Sequence, residues 1–363
     1  MLKSISKTVT LIILTTLVSA CNPAVTALPP TFTLPPPTRT SSLPTATRPA
    51  TVTSIPMTDT PLPPAETLKP TATPIPALSG SGGGVIAFAL EIDTRRHIFL
   101  INADGSGQQQ LTTGTGWDNW PSWSPDGTRI AFTCRASTPG MGGGICVINL
   151  DGSGRQVLSA SNDWEPAWSP DGNWIAFASQ RDGNPEIYLM GADGSHVRRL
   201  TNHPEEDWQP NWSPDGTKLA FTSGRDGDWE IYLMDMSDPK TATDSNLLQL
   251  TDNDVRDSHA AWSPDGLQIA FASRRDGDDE IYIMPAPDGM NVAVGAPTQL
   301  TDNNIRDSFP RWSPDGAWIV FSSLVSRNKI SSHDLNLIKS DGSSQRQLTR
   351  DNMTQEDCPS WQP

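Results

Sequence analysis

Short stretches of apolar and polar residues alternate at strand period through the last three quarters of this 363-residue chain. One stretch reads Ile-Ala-Phe or a close variant, and a second reads Glu-Ile-Tyr followed by an aliphatic residue and Met. Asp-Gly pairs between the stretches supply the positive φ that tight turns require. The pattern predicts an all-β domain. The first kind of stretch begins at Ile86, Ile130, Ile175, Leu219, Ile269 and Ile319.

A tryptophan marks each repeat of this pattern. Trp-Ser-Pro-Asp-Gly occurs five times, and Pro359-Ser360-Trp361 is a truncated sixth copy. The tryptophans are 45, 44, 50, 50 and 49 residues apart, which is the period of a four-stranded propeller blade. Because the first apolar strand has no tryptophan before it, we expect a six-bladed β-propeller closed by pairing of the C-terminal and N-terminal strands. We call these residues the anchor tryptophans: Trp123, Trp168, Trp212, Trp262, Trp312 and Trp361.

The first 83 residues have a different composition. Residues 1–21 carry two lysines, a short apolar core and the sequence Val18-Ser19-Ala20-Cys21, which resembles a bacterial lipobox with Cys21 as the lipidated residue. An ordinary signal peptide with a chance cysteine is the alternative. Residues 22–83 are rich in Pro, Thr and Ser and predict a disordered stalk. We therefore expect an exported protein, lipid-anchored outside a bacterial membrane, with a propeller over 84–363.

Charge and cysteine content narrow the partners. The net charge of −15 disfavours nucleic acid and leaves cations, basic peptides and neutral polymers open. Cys134 ends one predicted strand and Cys146 begins the next, so a disulfide across one hairpin is feasible. Neither the cysteine spacing nor the histidines predict a metal site. Acidic turns such as Arg181 to Asn184 have too few ligands for an EF-hand-like calcium loop, and we expect no cofactor.

In combination, the Trp-Ser-Pro-Asp-Gly, Ile-Ala-Phe and Ile-Tyr-x-Met motifs resemble the WD40-like (PD40) repeats of the TolB family, over about residues 84–363. The resemblance implies a six-bladed propeller in the cell envelope that binds other proteins. Family members carry an α/β domain before the propeller, where this sequence has the lipobox and the proline-rich stretch. The same repeat resembles the non-catalytic propellers of prolyl oligopeptidase-type enzymes, but no nucleophile-elbow motif is present here.

One acidic position recurs five residues before every anchor tryptophan. In a propeller this position would enter the innermost strand, so six carboxylates would form a ring at one channel mouth and attract cations or a basic peptide. Arg256 and Arg306, each next to one of the acids, are expected to neutralise part of the ring. The alternative is that each carboxylate accepts hydrogen bonds from its own loop. The six residues are Asp118, Asp163, Asp207, Asp257, Asp307 and Glu356.

Aromatic residues and one histidine near the same mouth are the candidates for specificity, because nothing in the repeat requires them. Exposed aromatic faces favour contact with proteins or carbohydrates, although the same rings could cover the seams between blades. All lie within six residues upstream of an anchor tryptophan: Trp117, Trp120, Trp164, Trp208, His259 and Phe309.

From these observations we expect a monomeric propeller that binds proteins or peptides of the envelope through its channel mouth. No catalytic residue is predicted, because hydrolase, metalloprotease and phosphate-binding motifs are missing. Two alternatives stay open. One is a metal-assisted polysaccharide lyase or glycosidase that uses the acids with His259, and the other is carbohydrate binding without turnover.

Overall fold

The computed structural model describes residues 84–135, 143–290, 295–327, 330–349 and 356–363. These residues form six sheets of four antiparallel strands each, arranged as the blades of a propeller. The predicted all-β, six-bladed architecture is confirmed. The predicted signal peptide and stalk lie outside the described residues. Within the described ranges, no helix has the length and apolarity needed to span a bilayer.

The innermost strand of each blade ends at its anchor tryptophan, and the six innermost strands contact one another in a closed ring. Each blade contributes one such strand, and it starts five or six residues before the anchor tryptophan. For blades 1 to 6 they are β24 (Glu356–Trp361), β4 (Trp117–Trp123), β8 (Asp163–Trp168), β12 (Asp207–Trp212), β16 (Asp257–Trp262) and β20 (Arg306–Trp312).

The second and third strands form the body of each blade and carry most of the apolar residues. The second strands are β1 (Val85–Ile92), β5 (Arg129–Arg135), β9 (Trp174–Ser179), β13 (Lys218–Ser223), β17 (Gln268–Ser273) and β21 (Trp318–Arg327). The third strands are β2 (Arg95–Asn102), β6 (Gly144–Asn149), β10 (Glu186–Gly191), β14 (Glu230–Asp235), β18 (Glu280–Pro285) and β22 (Ile330–Lys339).

The outermost strands are short. They are β3 (Gln109–Gln110), β7 (Gln156–Ser159), β11 (Arg198–Arg199), β15 (Leu247–Gln249), β19 (Thr298–Gln299) and β23 (Gln345–Gln347). A short outer edge limits the backbone that is open to pairing with another chain. Blade 1 closes the ring as predicted, because β24 from the end of the chain pairs with β1, with Trp361 opposite Ile86.

The hydrophobic core lies between blades. Trp123 of blade 2 packs with Val85, Ala87 and Leu100 of blade 1, and the other anchor tryptophans repeat this arrangement. The aromatic residue of each Ile-Ala-Phe stretch is fully buried, and each such burial contributes about 1.5–3 kcal/mol. These phenylalanines are Phe88, Phe132, Phe177, Phe221, Phe271 and Phe321.

The Ser-Pro-Asp-Gly turn is held by its own side chains. In blade 3 the Ser169 hydroxyl donates to Asp171 at 2.5 Å and accepts from the backbone N–H of Trp174 at 2.9 Å. Gly172 has a φ of +72°, and a Cβ there would lie 3.3 Å from Pro125 of the preceding blade. The turn therefore requires glycine for both its conformation and its close approach to the neighbouring blade.

Candidate functional site

The six predicted ring acids all lie at the start of an innermost strand, and each is fully buried. Three of them make ion pairs with the arginine of the acidic turn in their own blade. Arg181 contacts Asp163 at 2.8 Å, and Arg225 contacts Asp207 at 3.0 Å. Blade 5 repeats the pair at 2.8 Å with Arg275 and Asp257.

Asp118 and Asp307 are also held within the protein. Arg155 donates two hydrogen bonds to Asp118, at 2.9 and 2.8 Å. Asp307 accepts from Ser323 at 2.5 Å and from Asn303 at 2.9 Å. Buried carboxylates with such partners do not offer free charge to a ligand, so the geometry favours the alternative of hydrogen bonding inside each blade. Their binding role stays a prediction.

The expectation for Arg256 and Arg306 is wrong. Among the described residues, no ion pair within 4.0 Å joins either arginine to a ring acid. The physical reason is that other side chains hold the two neighbouring acids. Arg275 reaches Asp257 from the turn between β17 and β18, and Asp307 accepts from Ser323 and Asn303. Arg256 and Arg306 therefore leave their positive charge at the mouth.

A second ring, three residues before each anchor tryptophan, lies deeper in the channel. At this position every innermost strand has a β-bulge, seen as a shift in its register with the second strand. All six residues have a left-handed backbone with φ between 50° and 61°, although none is glycine and this conformation costs on the order of 1 kcal/mol or more. We call them the bulge ring: Trp120, Glu165, Gln209, His259, Phe309 and Cys358.

Side chains of the bulge ring contact one another from blade to blade. The backbone N–H of Gln209 donates to Oε2 of Glu165 at 2.8 Å. Nε2 of Gln209 lies 2.8 Å from Nε2 of His259. The rings of His259 and Phe309 have centroids 4.1 Å apart. The four residues thus form a continuous arc around half of the channel.

The hydrogen bonds fix the tautomer of His259. Oε1 of Gln209 accepts from the Thr222 hydroxyl at 2.8 Å and from the His259 backbone N–H at 3.1 Å, so its amide nitrogen faces the imidazole. Nε2 of His259 must then accept, and Nδ1–H donates to Ser258 Oγ at 3.0 Å. Burial, together with Arg256 and Arg311, lowers the pKa of His259 well below its usual value and keeps the ring neutral.

Glu165 is the titrating group of the bulge ring. Burial raises its pKa to about 7, although the hydrogen bond from Gln209 and the positive charges of Arg311 and Arg256 oppose the shift. Burial also raises the pKa of the Cys358 thiol well above its usual value. At neutral pH the channel therefore holds a carboxyl group whose pKa is about 7, a neutral imidazole and a neutral thiol, with the positive charges of Arg256 and Arg311 near the first two.

The bulge ring adjoins three cavities that are lined by described residues. The largest, about 400 Å³, runs from the ring to the prolines of the Ser-Pro-Asp-Gly turns and includes Arg311. A cavity of about 330 Å³ at the mouth is walled by tryptophans and includes Arg256; we call it the tryptophan cavity. A third, of about 190 Å³, lies beside it at blades 5 and 6. The walls of the tryptophan cavity include Trp120, Trp164, Trp208 and Trp229.

The predicted aromatic residues divide among these places. Trp120, His259 and Phe309 belong to the bulge ring and line the largest cavity. Trp164 and Trp208 line the tryptophan cavity with ring centroids 5.6 Å apart. Trp117 is not a lining residue of the three cavities. It is 40% exposed and has the Arg96 guanidinium 5.6 Å from its ring centre.

Comparison with known proteins agrees with this architecture. A family profile described as the TolB beta propeller domain (PD40) matches residues 142–245 and 240–363. This chain belongs to that family. The Tol-Pal system protein TolB of Desulfosudis oleivorans is 31% identical over 121 residues, which cover 32% of this chain. The matched stretch spans 26% of that relative's length.

Solved structures with the same propeller include two TolB proteins. The crystal structure of TolB from Acinetobacter baumannii is 25% identical, with a TM-score of 0.65, and covers 77% of this chain and 67% of that one. The putative TolB from Agrobacterium tumefaciens is 22% identical, with a TM-score of 0.55. It covers 78% of this chain and 100% of that one, and at this identity the likeness shows the fold alone.

Sequence reasoning missed half of the bulge ring in this TolB-family propeller, namely Glu165, Gln209 and Cys358. It also missed Trp229 and Arg311. The bulge ring could have been found by counting three residues back from each anchor tryptophan, as was done for the acids at five. The signal is hidden because the position carries six different residue types.

The two cysteines singled out in the sequence are joined in the structure, where Cys134 and Cys146 form a disulfide between β5 and β6. Within the part of the chain that the structure describes, no group of three or more His, Cys, Asp or Glu side chains is arranged to hold a metal ion.

Proposed function

We propose that this protein is a lipid-anchored envelope protein whose propeller binds a segment of another protein at the mouth of its channel. Membership of the TolB beta-propeller family supports this, and the curated relative carries the name of a Tol-Pal system protein. The anchor would be Cys21, whose lipidation holds the propeller at a membrane while the stalk lets the mouth reach its partner.

The tryptophan cavity is the observation that carries the proposal. Trp164 and Trp208 come from neighbouring innermost strands, and Trp229 comes from the turn before β14. At about 330 Å³ the cavity is at the small end of ligand pockets, which suits one or two side chains of a bound segment. Tryptophan is among the residues that contribute most binding energy at protein interfaces.

One residue that lines the cavity also has a buried hydrogen-bond donor without a partner in the described part of the chain. Nε1 of Trp120 is buried and has no hydrogen-bond partner among the described residues. A buried donor without an acceptor costs about 1–3 kcal/mol. A backbone carbonyl of a bound peptide would remove that cost, whereas an apolar small molecule would not.

Capture from native envelopes tests the proposal. The full-length protein, purified in detergent and immobilised, should retain an envelope protein that the Trp208→Ala/Trp229→Ala variant does not retain. Trp117→Ala is the matched control, because it removes an indole outside the three cavities and should leave capture unchanged. Equal capture by all three proteins would refute the site. Binding of a polysaccharide that is lost in the double variant would assign the cavity to carbohydrate instead.

The anchor is tested separately. Cys21→Ser should move the protein from the membrane pellet to the soluble exported fraction and abolish metabolic labelling with palmitate. A variant that stays in the pellet and keeps its label would overturn the assignment of Cys21.

A further inference from the structure

Three arginines at the channel mouth lie at positions where most blades have another residue type. Arg256 and Arg306 lie six residues before their anchor tryptophans, and Arg274 follows β17 directly. Other blades place unrelated residues at the first position: Trp117, Asn162 and Glu206. At the position of Arg274, blades 2, 3, 4 and 6 have Arg135, Gln180, Gly224 and Leu324. The propeller fold therefore does not require these three arginines.

The three arginines line the cavity of about 190 Å³, which we call the arginine pocket. Asp279 is the acid among its lining residues, and Arg274 holds it with two hydrogen bonds of 2.7 and 3.1 Å. Among the described residues, Arg256 and Arg306 take part in no ion pair within 4.0 Å. The buried Nε of Arg256 also has no hydrogen-bond partner there.

The charges of the pocket do not balance. Three guanidinium groups face one carboxylate, and the two histidines that line the pocket, His259 and His333, have pKa values lowered by burial. Burial lowers the pKa of Arg256; the negative charges of Asp279 and Glu165 oppose this shift, whereas the positive charges of Arg274 and Arg306 add to it. In a chain of net charge −15 this pocket is a local positive exception, and a bound anion would relieve the repulsion.

We propose that the arginine pocket binds a carboxylate of the protein segment that occupies the tryptophan cavity. The inference rests on the proposed function and extends it to the chemistry of the partner. Arg256 lines both cavities, so a bulky side chain in one and an acidic side chain in the other can belong to neighbouring residues. Guanidinium groups suit carboxylates because their planar donors form paired, charge-assisted hydrogen bonds.

The ligand charge that suits this pocket is opposite to the charge predicted from the sequence. The ring acids predicted a basic ligand, but all six are buried, and the five aspartates have partners inside the protein. The charges that remain at the mouth beside blades 5 and 6 are arginines. The preferred segment should therefore carry Asp or Glu beside a large apolar or aromatic residue.

Selection from a random dodecapeptide phage library on the immobilised full-length protein provides the test. We expect enrichment of sequences with Asp or Glu next to an aromatic residue. A synthetic peptide of the enriched sequence should bind about tenfold more tightly than its Glu→Gln analogue at low salt. The Arg256→Gln/Arg306→Gln variant should lose that difference. Arg95→Gln, which removes an exposed arginine at the start of β2, should keep it.

The outcomes separate this inference from the proposed function. Enrichment that depends on Trp208 and Trp229 but shows no preference for acids would overturn the arginine pocket and leave the binding function standing. Failure to enrich any sequence, or enrichment that the tryptophan substitutions do not affect, would overturn both. An equal loss of affinity in Arg95→Gln would reduce the effect to general charge and also overturn the pocket.

Discussion

Replacing Asp207 by Asn separates a structural role of the ring acids from a ligand-binding role. Asp207 is fully buried, and Arg225 donates to its two oxygens at 3.2 and 3.0 Å. The Arg225 guanidinium also lies 5.5 and 4.9 Å from the ring centres of Phe221 and Tyr232. The Asp207→Asn substitution leaves this arginine in place with its counter-charge removed.

The size of the effect follows from the burial of the pair. Removing one partner of a buried ion pair costs about 3–5 kcal/mol, because the other charge stays buried without compensation. We expect the lower end of this energy range for two reasons. Burial raises the pKa of Asp207 in spite of Arg225, and Asn at this position can still accept one hydrogen bond. About 3 kcal/mol corresponds to a melting temperature lower by roughly 6–12 °C in a domain of this size.

Thermal unfolding followed by circular dichroism measures this loss. Asp302→Asn removes the same charge from an exposed position and should change the melting temperature by no more than about 1–2 °C. The Asp207→Asn/Arg225→Met double variant should be more stable than the sum of the single losses, because it removes the stranded charge as well.

One result would refute the reasoning. That result is an Asp207→Asn variant with the melting temperature of the wild type that no longer captures the envelope partner. The carboxylate would then contact a ligand, and the ring predicted from the sequence would be the binding site. A destabilised variant that still binds its partner at a temperature where it is folded supports the structural role.

Three further predictions follow from single contacts. Breaking the disulfide with Cys134→Ser should lower the free energy of unfolding by about 3 kcal/mol, since Cys146 is 12 residues away; denaturant titration measures it. Glu165→Gln should become more stable than the wild type as pH rises from about 4.5 to 7, and the difference should persist above pH 7. The reason is that the raised pKa of Glu165 makes its ionised form unfavourable in the folded state. Melting temperatures of both proteins measured across this pH range check the direction of the change. Trp312→Phe should cost about 1 kcal/mol more than Trp262→Phe, because only the first indole donates a hydrogen bond across a blade boundary; equal losses would contradict this.

The architecture could be predicted from the sequence because the same residues, which act on their near neighbours in the chain, recur in six repeats. Turns such as Ser169 to Gly172 need a residue that tolerates positive φ, and the apolar strands need a buried phenylalanine such as Phe177. Both requirements involve residues close in the chain, so spacing alone reveals them. Ring closure followed from the missing first tryptophan and the truncated last repeat.

The role of the ring acids could not be derived in the same way, because burial is a property of the folded blade. The arginine that pairs with a ring acid could nevertheless be recognised in the sequence. Asp163 and Arg181 are 18 residues apart, and blades 4 and 5 repeat this separation. A constant spacing between an acid and an arginine on adjoining strands indicates an ion pair, and it would have linked two motifs that were interpreted separately.

The bulge ring could not be recognised from residue types, because its six residues share a backbone conformation but not a type of side chain. Five of the six are followed by proline, as Trp120 is by Pro121, which suits a bulge where a ladder N–H is not needed. The left-handed conformation itself leaves no mark on residue type here. A sequence reader expects glycine at such positions and finds Glu165 and Gln209 instead.

That absence of glycine argues for function at the channel. A left-handed backbone costs a non-glycine residue on the order of 1 kcal/mol or more, and six such positions raise the cost in proportion. If the bulges served only to bend the strands, glycine would bend them without strain. The side chains kept there differ in every blade and line a continuous channel. In this propeller the residues that repeat build the scaffold. The specificity proposed for the mouth therefore depends on the strained residues that differ and on the three arginines beside them.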